Sequence, residues 1–234
     1  MGLRRYRLGV EIVLVRHGQP EWVKDGLCVV NPPLTANGFA QAELVGAALA
    51  DEHFDEFYVS PLLRAQQTAA PLAKLLDREP AVEQWLEECR EPDWHGEPAA
   101  LAAEAYANER KLPPAQRWEA LEGGETMRQF TKRIHGGLTA WLASHGIRRV
   151  AGELPLWDID APGRTLLWVA HAGTNTVSIS HLLGMAPVPW EWDRFALGHG
   201  SVCRLKALPV HDHFTFSLTR LSGVEHLPDE LRTT

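Results

Sequence analysis

The chain has 234 residues, of which 45% are hydrophobic and 23% charged, the composition of an ordinary globular protein and enough chain to bury a sizeable core in one domain spanning 1–234. Its 23 Lys and Arg stand against 30 Asp and Glu, a formal net charge of −7. It therefore lacks the positive surplus that nucleic acid or anionic lipid demands, and any anion it handles must be met by a few cations gathered locally.

The N-terminus offers no targeting signal: the apolar run from Ile12 to Val15 is too short for a signal peptide, and Tyr6 stands where myristoylation of Gly2 needs Ser or Thr. Nowhere does the chain reach the roughly 18–20 apolar residues of a membrane span. The first strand is predicted over 10–15, a β-branched apolar run suited to a central position covered on both faces. A helix follows, with Ala40, Leu44, Ala47 and Ala48 on one face. A short strand is predicted at 57–59, then a second helix with Ala65, Ala69, Leu72 and Leu76 aligned. Residues 82–85 read as a fourth candidate strand leading into Glu87 and Glu88.

Residues 97–124, helical and charged, fit an alternating plan poorly and read as an insertion. A longer helix begins near Glu125, where Met127, Phe130, Ile134, Leu138 and Trp141 keep helical spacing, and ends at Gly146. Gly136 and Gly137 inside it should each cost about 1 kcal/mol. Residues 148–164, rich in proline and acid, read as a second insertion. The clearest strand comes next, at 166–170, then a helix over 174–183 and strands at 201–205 and 214–218. Strands alternating with helices argue for an α/β fold, a three-layer α/β/α sandwich on a largely parallel central sheet. Cys28, Cys89 and Cys203 are odd in number and widely spaced, which suggests neither a disulfide framework nor a zinc site, so a cytoplasmic protein with reduced thiols is expected.

Ligands of an open α/β sheet bind beyond the carboxyl ends of its strands. The first strand is followed by Arg16, His17 and Gly18, the 57–59 strand by Ser60 and then Arg64, and the 166–170 strand by His171, Ala172 and Gly173. Two histidines, two arginines and a carboxylate thus converge on one sheet edge. A neutral imidazole attacks phosphorus only after the dianion's repulsion is quenched, and arginine does this with a permanent charge on a two-pronged donor. Arg16 beside the nucleophile candidate His17, and Arg64 from another strand, would neutralise the transferring phosphoryl group, with His171 as a further donor. The leaving alkoxide needs a proton from a carboxylic acid of raised pKa. Glu88 is the choice, and Glu87 remains the alternative.

These segments resemble the histidine phosphatase superfamily, which includes the cofactor-dependent phosphoglycerate mutases. Arg16-His17-Gly18 follows an apolar strand. Pro33-Leu34-Thr35 precedes Gly38, Gln41 and Ala42, and Ser60-Pro61-Leu62 precedes Arg64, Ala65, Thr68 and Ala69. Leu86 and Glu88 lead to Trp94 and Gly96, followed by Gly123-Gly124-Glu125-Thr126 and His171-Ala172-Gly173. The order and spacing, over residues 8 to about 206, carry the likeness. It implies a phosphoglycerate mutase-like fold and a phosphoric monoester hydrolase acting on small phosphate esters. It further implies a phosphohistidine on His17, a pocket completed by Arg16, Arg64 and His171, Glu88 as donor, and neither metal nor cofactor. Gln19 and Ala172 are placed as substrate-binding residues.

Val23 and Leu27 stand where the family usually carries Asn and Arg. Their apolar character favours a phosphatase over a mutase and would suit, with Val29 and Val30, an apolar leaving group. Three readings stay open: phosphatase, phosphoglycerate mutase, and a catalytically silent protein that binds a phosphorylated ligand. His211-Asp212-His213 reads as a turn rather than a metal site. His199 reads as structural, the tryptophans, including Trp190 and Trp192, as packing, and Cys28 has no assigned role. A homodimer is the commonest assembly to expect.

Overall fold

The computed structural model of the chain describes residues 9–119 and 121–234, so Gly2 and Tyr6, which carry the myristoylation reading, fall outside the described residues. In chain order the elements are β1 (Glu11–Arg16), the small hairpin β2 (Val23–Lys24) and β3 (Leu27–Cys28), α1 (Ala36–Leu49), β4 (Glu56–Val59), α2 (Leu63–Leu75) and β5 (Ala81–Val82). A 3₁₀ turn at Gln84–Leu86 leads to α3 (Ala99–Glu109), then a 3₁₀ turn at Gln116–Glu119, α4 (Met127–Ser144), β6 (Ile147–Arg149), β7 (Trp157–Ile159) and β8 (Thr165–Ala170). The chain continues with α5 (Ala172–Leu182), α6 (Glu191–Arg194), β9 (Val202–Val210), β10 (His213–Gly223) and a final 3₁₀ turn at Asp229–Leu231.

Eight strands form one sheet in the order β5-β4-β8-β1-β9-β10-β7-β6. The β5, β4, β8 and β1 pairs are parallel, whereas β9, β10, β7 and β6 extend the sheet antiparallel. The parallel core is the expected one. β1 and β8 run in register from Glu11 opposite Thr165 to Arg16 opposite Ala170, so both strands deliver their C-terminal residues to the same edge.

Alternation along β1 builds the three layers, since successive side chains leave opposite faces of a strand. Ile12 and Leu14 join Leu166, Trp168, Leu138, Trp141 and Ile179 in one core, under α4 and α5. Val13 and Val15 join Leu167, Val169, Val45, Leu49, Ala69 and Leu72 in the other, under α1 and α2. α4 starts on a capping box, in which Thr126 Oγ1 accepts from the Gln129 amide at 3.1 Å and the Gln129 side chain accepts from Thr126 N at 2.9 Å. Its glycine pair divides in purpose. A Cβ on Gly137 would lie 2.3 Å from the Trp85 Cβ, so glycine is what lets Trp85 pack there, whereas Gly136 faces open space.

Two expectations need correction. The candidate strand at 82–85 is strand only at Ala81–Val82, because Gln84, Trp85 and Leu86 coil into the 3₁₀ turn. That turn buries Leu86 completely. Residues 148–164, read as an insertion, hold most of β6 and all of β7, which pair with each other and, through Trp157 opposite Phe214, with β10. Residues 97–124 hold α3 and the turn at Gln116–Glu119. No helix among the described residues is long and apolar enough to cross a membrane.

Candidate active site

Three strand ends are tied side by side. His17 N donates to Ala170 O at 2.9 Å, and Ser60 N donates to Val169 O at 3.0 Å. His17, Ser60, Arg64 and His171 are all buried, and the His17 and His171 rings lie 5.1 Å apart.

His17 Nδ1 lies 2.7 Å from the Gly18 carbonyl oxygen. A carbonyl only accepts, so Nδ1 carries the proton and Nε2 the lone pair. That Nε2 accepts from Arg64 Nε at 3.2 Å. Burial and the charges of Arg64 and Arg16 hold the ring well below its ordinary pKa, hence neutral. On the neighbouring histidine, His171 Nε2 lies 2.7 Å from Ser60 Oγ, which also accepts from Leu62 N at 3.3 Å.

His171 Nδ1 and Arg16 Nε are buried with no hydrogen-bond partner among the described residues. An unpaired buried polar atom costs about 1–3 kcal/mol, and Arg16 Nε, which can only donate, is satisfied only by an acceptor. Both guanidinium groups are under the same pressure: desolvation brings Arg16 and Arg64 down to about 10, relieved in part by the carboxylate of Glu88. An anion in the pocket would relieve it further.

Glu88 reaches the pocket through its carboxylate, with Oε2 accepting from Gly173 N at 2.8 Å and Oε1 from Cys89 N at 2.9 Å. Burial pushes its carboxyl up, against those two amides and both arginines. Glycine at 173 is required for this approach, since a Cβ there would sit 2.5 Å from Glu88 Oε1. Glu87 turns elsewhere, onto Arg90 at 2.7 Å. Ala172 opens α5, which puts its amide among the unpaired donors of a helix first turn. Gln19 is held by its Oε1, which accepts from Thr35 Oγ1 at 2.9 Å, leaving its amide NH₂ as donor.

Several supporting residues escaped the sequence reading. Arg133 on α4 pairs with Glu125 at 2.6 Å and donates to the carbonyls of Glu87 and Glu88 at 3.0 Å each, fixing the segment that carries Glu88. Thr68 Oγ1 accepts from Gly18 N at 2.9 Å. Trp22 lies over the Arg64 guanidinium at 4.7 Å. His199, expected only as a structural residue ahead of a strand, stands at the pocket wall, with its ring 5.7 Å from that of His17 and Nε2 2.8 Å from Arg16 Nη2. Thr68 stood inside a recognised segment, but Arg133 and His199 carried no local signal. His211 and Asp212 form a turn ahead of β10. Among the described residues no three His, Cys, Asp or Glu side chains gather to hold an ion.

The sequence profile of the histidine phosphatase superfamily (branch 1) matches residues 12–217. The chain belongs to that superfamily. It is 30% identical over 132 residues to phosphoserine phosphatase 1 of Hydrogenobacter thermophilus, a match covering 55% of this chain and 63% of that enzyme, less than two thirds of its length. It is also 30% identical over 191 residues to 2,3-bisphosphoglycerate-dependent phosphoglycerate mutase 2 of Bacteroides thetaiotaomicron, covering 74% and 77%. The structure of mycobacterial glucosyl-3-phosphoglycerate phosphatase superposes with a TM-score of 0.68 at 23% identity, covering 92% and 99%, which shows the shared fold. The phosphatases among these relatives support phosphoric monoester hydrolysis as this enzyme's class of reaction.

Proposed function

We propose that this histidine phosphatase hydrolyses small phosphomonoesters by double displacement on His17. The observation that carries the reading is the locked tautomer of His17, whose lone pair on Nε2 faces a guanidinium while Nδ1–H is held by Gly18. In the first step Nε2 bonds to phosphorus, the phosphorus–ester oxygen bond breaks, and its electron pair leaves on the alcohol oxygen, which takes the proton of Glu88. In the second, water attacks the phosphohistidine, the nitrogen–phosphorus pair returns to Nε2, and the Glu88 carboxylate accepts the water proton. Gly18 O steadies the positive charge that His17 carries between the steps.

Arg16 and Arg64 supply the positive charge that a metal ion would otherwise bring, with His171 Nδ1, Ala172 N and the Gln19 amide as further donors. Val23, Leu27 and Val30 are exposed in and beside the β2-β3 hairpin, along with Trp22. This rim suits an uncharged, apolar leaving group better than a second anion.

The mutase relatives favour a second reading, in which the phosphoryl group returns to the substrate. Release of inorganic phosphate from a panel of phosphomonoesters, with and without a bisphosphate primer, separates the two. The phosphatase reading expects stoichiometric phosphate without primer. Primer-dependent isomerisation without net phosphate, or no turnover at all, would contradict it.

A further inference from the structure

A chain of polar contacts behind the pocket is not used by the reaction above. Residues 224–234 follow β10 and lie beyond the 12–217 stretch shared with the superfamily profile. They return to the pocket and are anchored there by the buried Leu227. Gln41, wholly buried on α1, donates from Nε2 to Leu231 O at 2.6 Å and to Thr233 Oγ1 at 3.0 Å. Its Oε1 accepts from Gln19 N at 2.7 Å.

The same Thr233 hydroxyl lies 2.9 Å from His199 Nδ1, and His199 N donates to Thr233 O at 2.9 Å. On the far side of that ring, Nε2 meets Arg16 Nη2 at 2.8 Å. A guanidinium only donates, so Nε2 accepts, Nδ1 carries the proton and Thr233 Oγ1 receives it. Burial and the Arg16 charge bring His199 down to about 3, so the ring stays neutral and keeps this polarity. Arg16 Nη1 donates to Leu197 O. Both Nη ends are therefore tied, and Nε is the donor left without a partner among the described residues.

One hydroxyl thus stands between two arms, one ending on the guanidinium beside the nucleophile and the other on the backbone that follows it. We propose that residues 224–234 set the geometry of the phosphate pocket, with Thr233 as a positioning residue that orients Arg16 through His199 and the Gln19 backbone through Gln41. The proposal rests on the reading that Arg16 grips phosphate, and not on phosphorylation of His17.

Calorimetric titration of the full chain with inorganic phosphate tests it. Thr233→Val, which keeps the shape and removes the hydroxyl, should weaken phosphate binding about tenfold and lower kcat/KM by the same factor. Thr233→Ser should restore wild-type values. In combination with His199→Ala the part of the Thr233→Val loss that runs through His199 should disappear and only the part carried by Gln41 should remain, so the combined loss falls short of the sum. Unchanged phosphate affinity in folded Thr233→Val, even with a lowered Tm, overturns the proposal, as do additive losses. A measurement on the unaltered chain stands beside these in case the variant does not fold: the ring nitrogen shifts of His199 should report the Nδ1–H tautomer, and the Nε2–H tautomer overturns the relay. Phosphate binding with no phosphorylation of His17 would count against the reaction proposed above and leave the relay intact.

Discussion

The two halves of the sheet use the same material differently. The parallel half, β5-β4-β8-β1, ends in buried polar groups that the protein itself leaves poorly served. His17 and His171 are kept neutral, Arg16 and Arg64 are desolvated, and Arg16 Nε and His171 Nδ1 have no partner among the described residues. The antiparallel half, β9-β10-β7-β6, buries Phe214, Phe216 and Trp157, leaves Trp157 Nε1 and Arg220 Nε without partners among the described residues, and keeps its charges paired near the surface, as with Arg204 to Glu52 at 2.5 Å and Arg148 to Asp160 at 2.5 Å. Polar groups buried against their own solvation lower stability, and they cluster where strand ends meet. The apolar half contributes stability without chemistry.

Glu88→Gln should break this contrast most. Turnover of alkyl phosphates is expected to fall about 10²–10⁴-fold, with far less loss on p-nitrophenyl phosphate, whose leaving group scarcely needs a proton. Equal losses on both esters would remove Glu88 from the acid role. Gly173→Ala attacks the same carboxylate from the side. The added Cβ would lie 2.5 Å from Glu88 Oε1, and displacing the acid by that clash should cost on the order of 10²-fold in kcat on the alkyl esters. A kcat within a factor of about two of wild type would mean that the carboxylate tolerates displacement.

Phe216→Ala sharpens the comparison from the other half. It should reduce unfolding stability by about 3–5 kcal/mol in urea titrations while leaving kcat and KM of the folded enzyme unchanged; altered KM would show that the halves are coupled. The pH dependence has a definite sign. His17, His171 and His199 have lowered pKa values in the fold, so the unfolded chain binds protons that the native state refuses. Stability should therefore fall as pH drops below about 6.5. Glu88, raised in the fold, acts oppositely: its contribution is greatest at low pH and is lost as pH rises through its folded pKa. Urea midpoints from pH 5 to 8 check the balance, and His199→Ala should flatten the acid slope. The smallest expected effect is that of EDTA, which should leave phosphate release unchanged.

Much of this was legible in the residues. β1, β4 and β8 announced themselves as short apolar runs, and what followed each was polar chemistry, so Arg16, His17, Arg64 and His171 could be read as strand-end groups. β5 was read as a strand at 82–85, too far along the chain, and β6 and β7 were not read at all, because two or three residues such as Ile147, Arg148 and Arg149 carry no periodicity and become strand only through distant partners. What separates Glu88 from Glu87 in the fold is its contact with Gly173, across 85 positions, which no local pattern carries. The tie from His199 to Thr233 spans 34 positions between groups that look unremarkable apart. Local pattern locates the groups that do chemistry; the residues that aim them are defined only once the chain has folded.

The central claim is that His17 Nε2 carries the phosphoryl group, and rapid quench with radiolabelled substrate tests it most directly. Wild-type chain should trap up to one phosphate per molecule in a form stable to alkali and lost in acid, and His17→Ala should trap none. Equal acid-labile labelling of His17→Ala, or label on wild type that survives acid, would contradict the account.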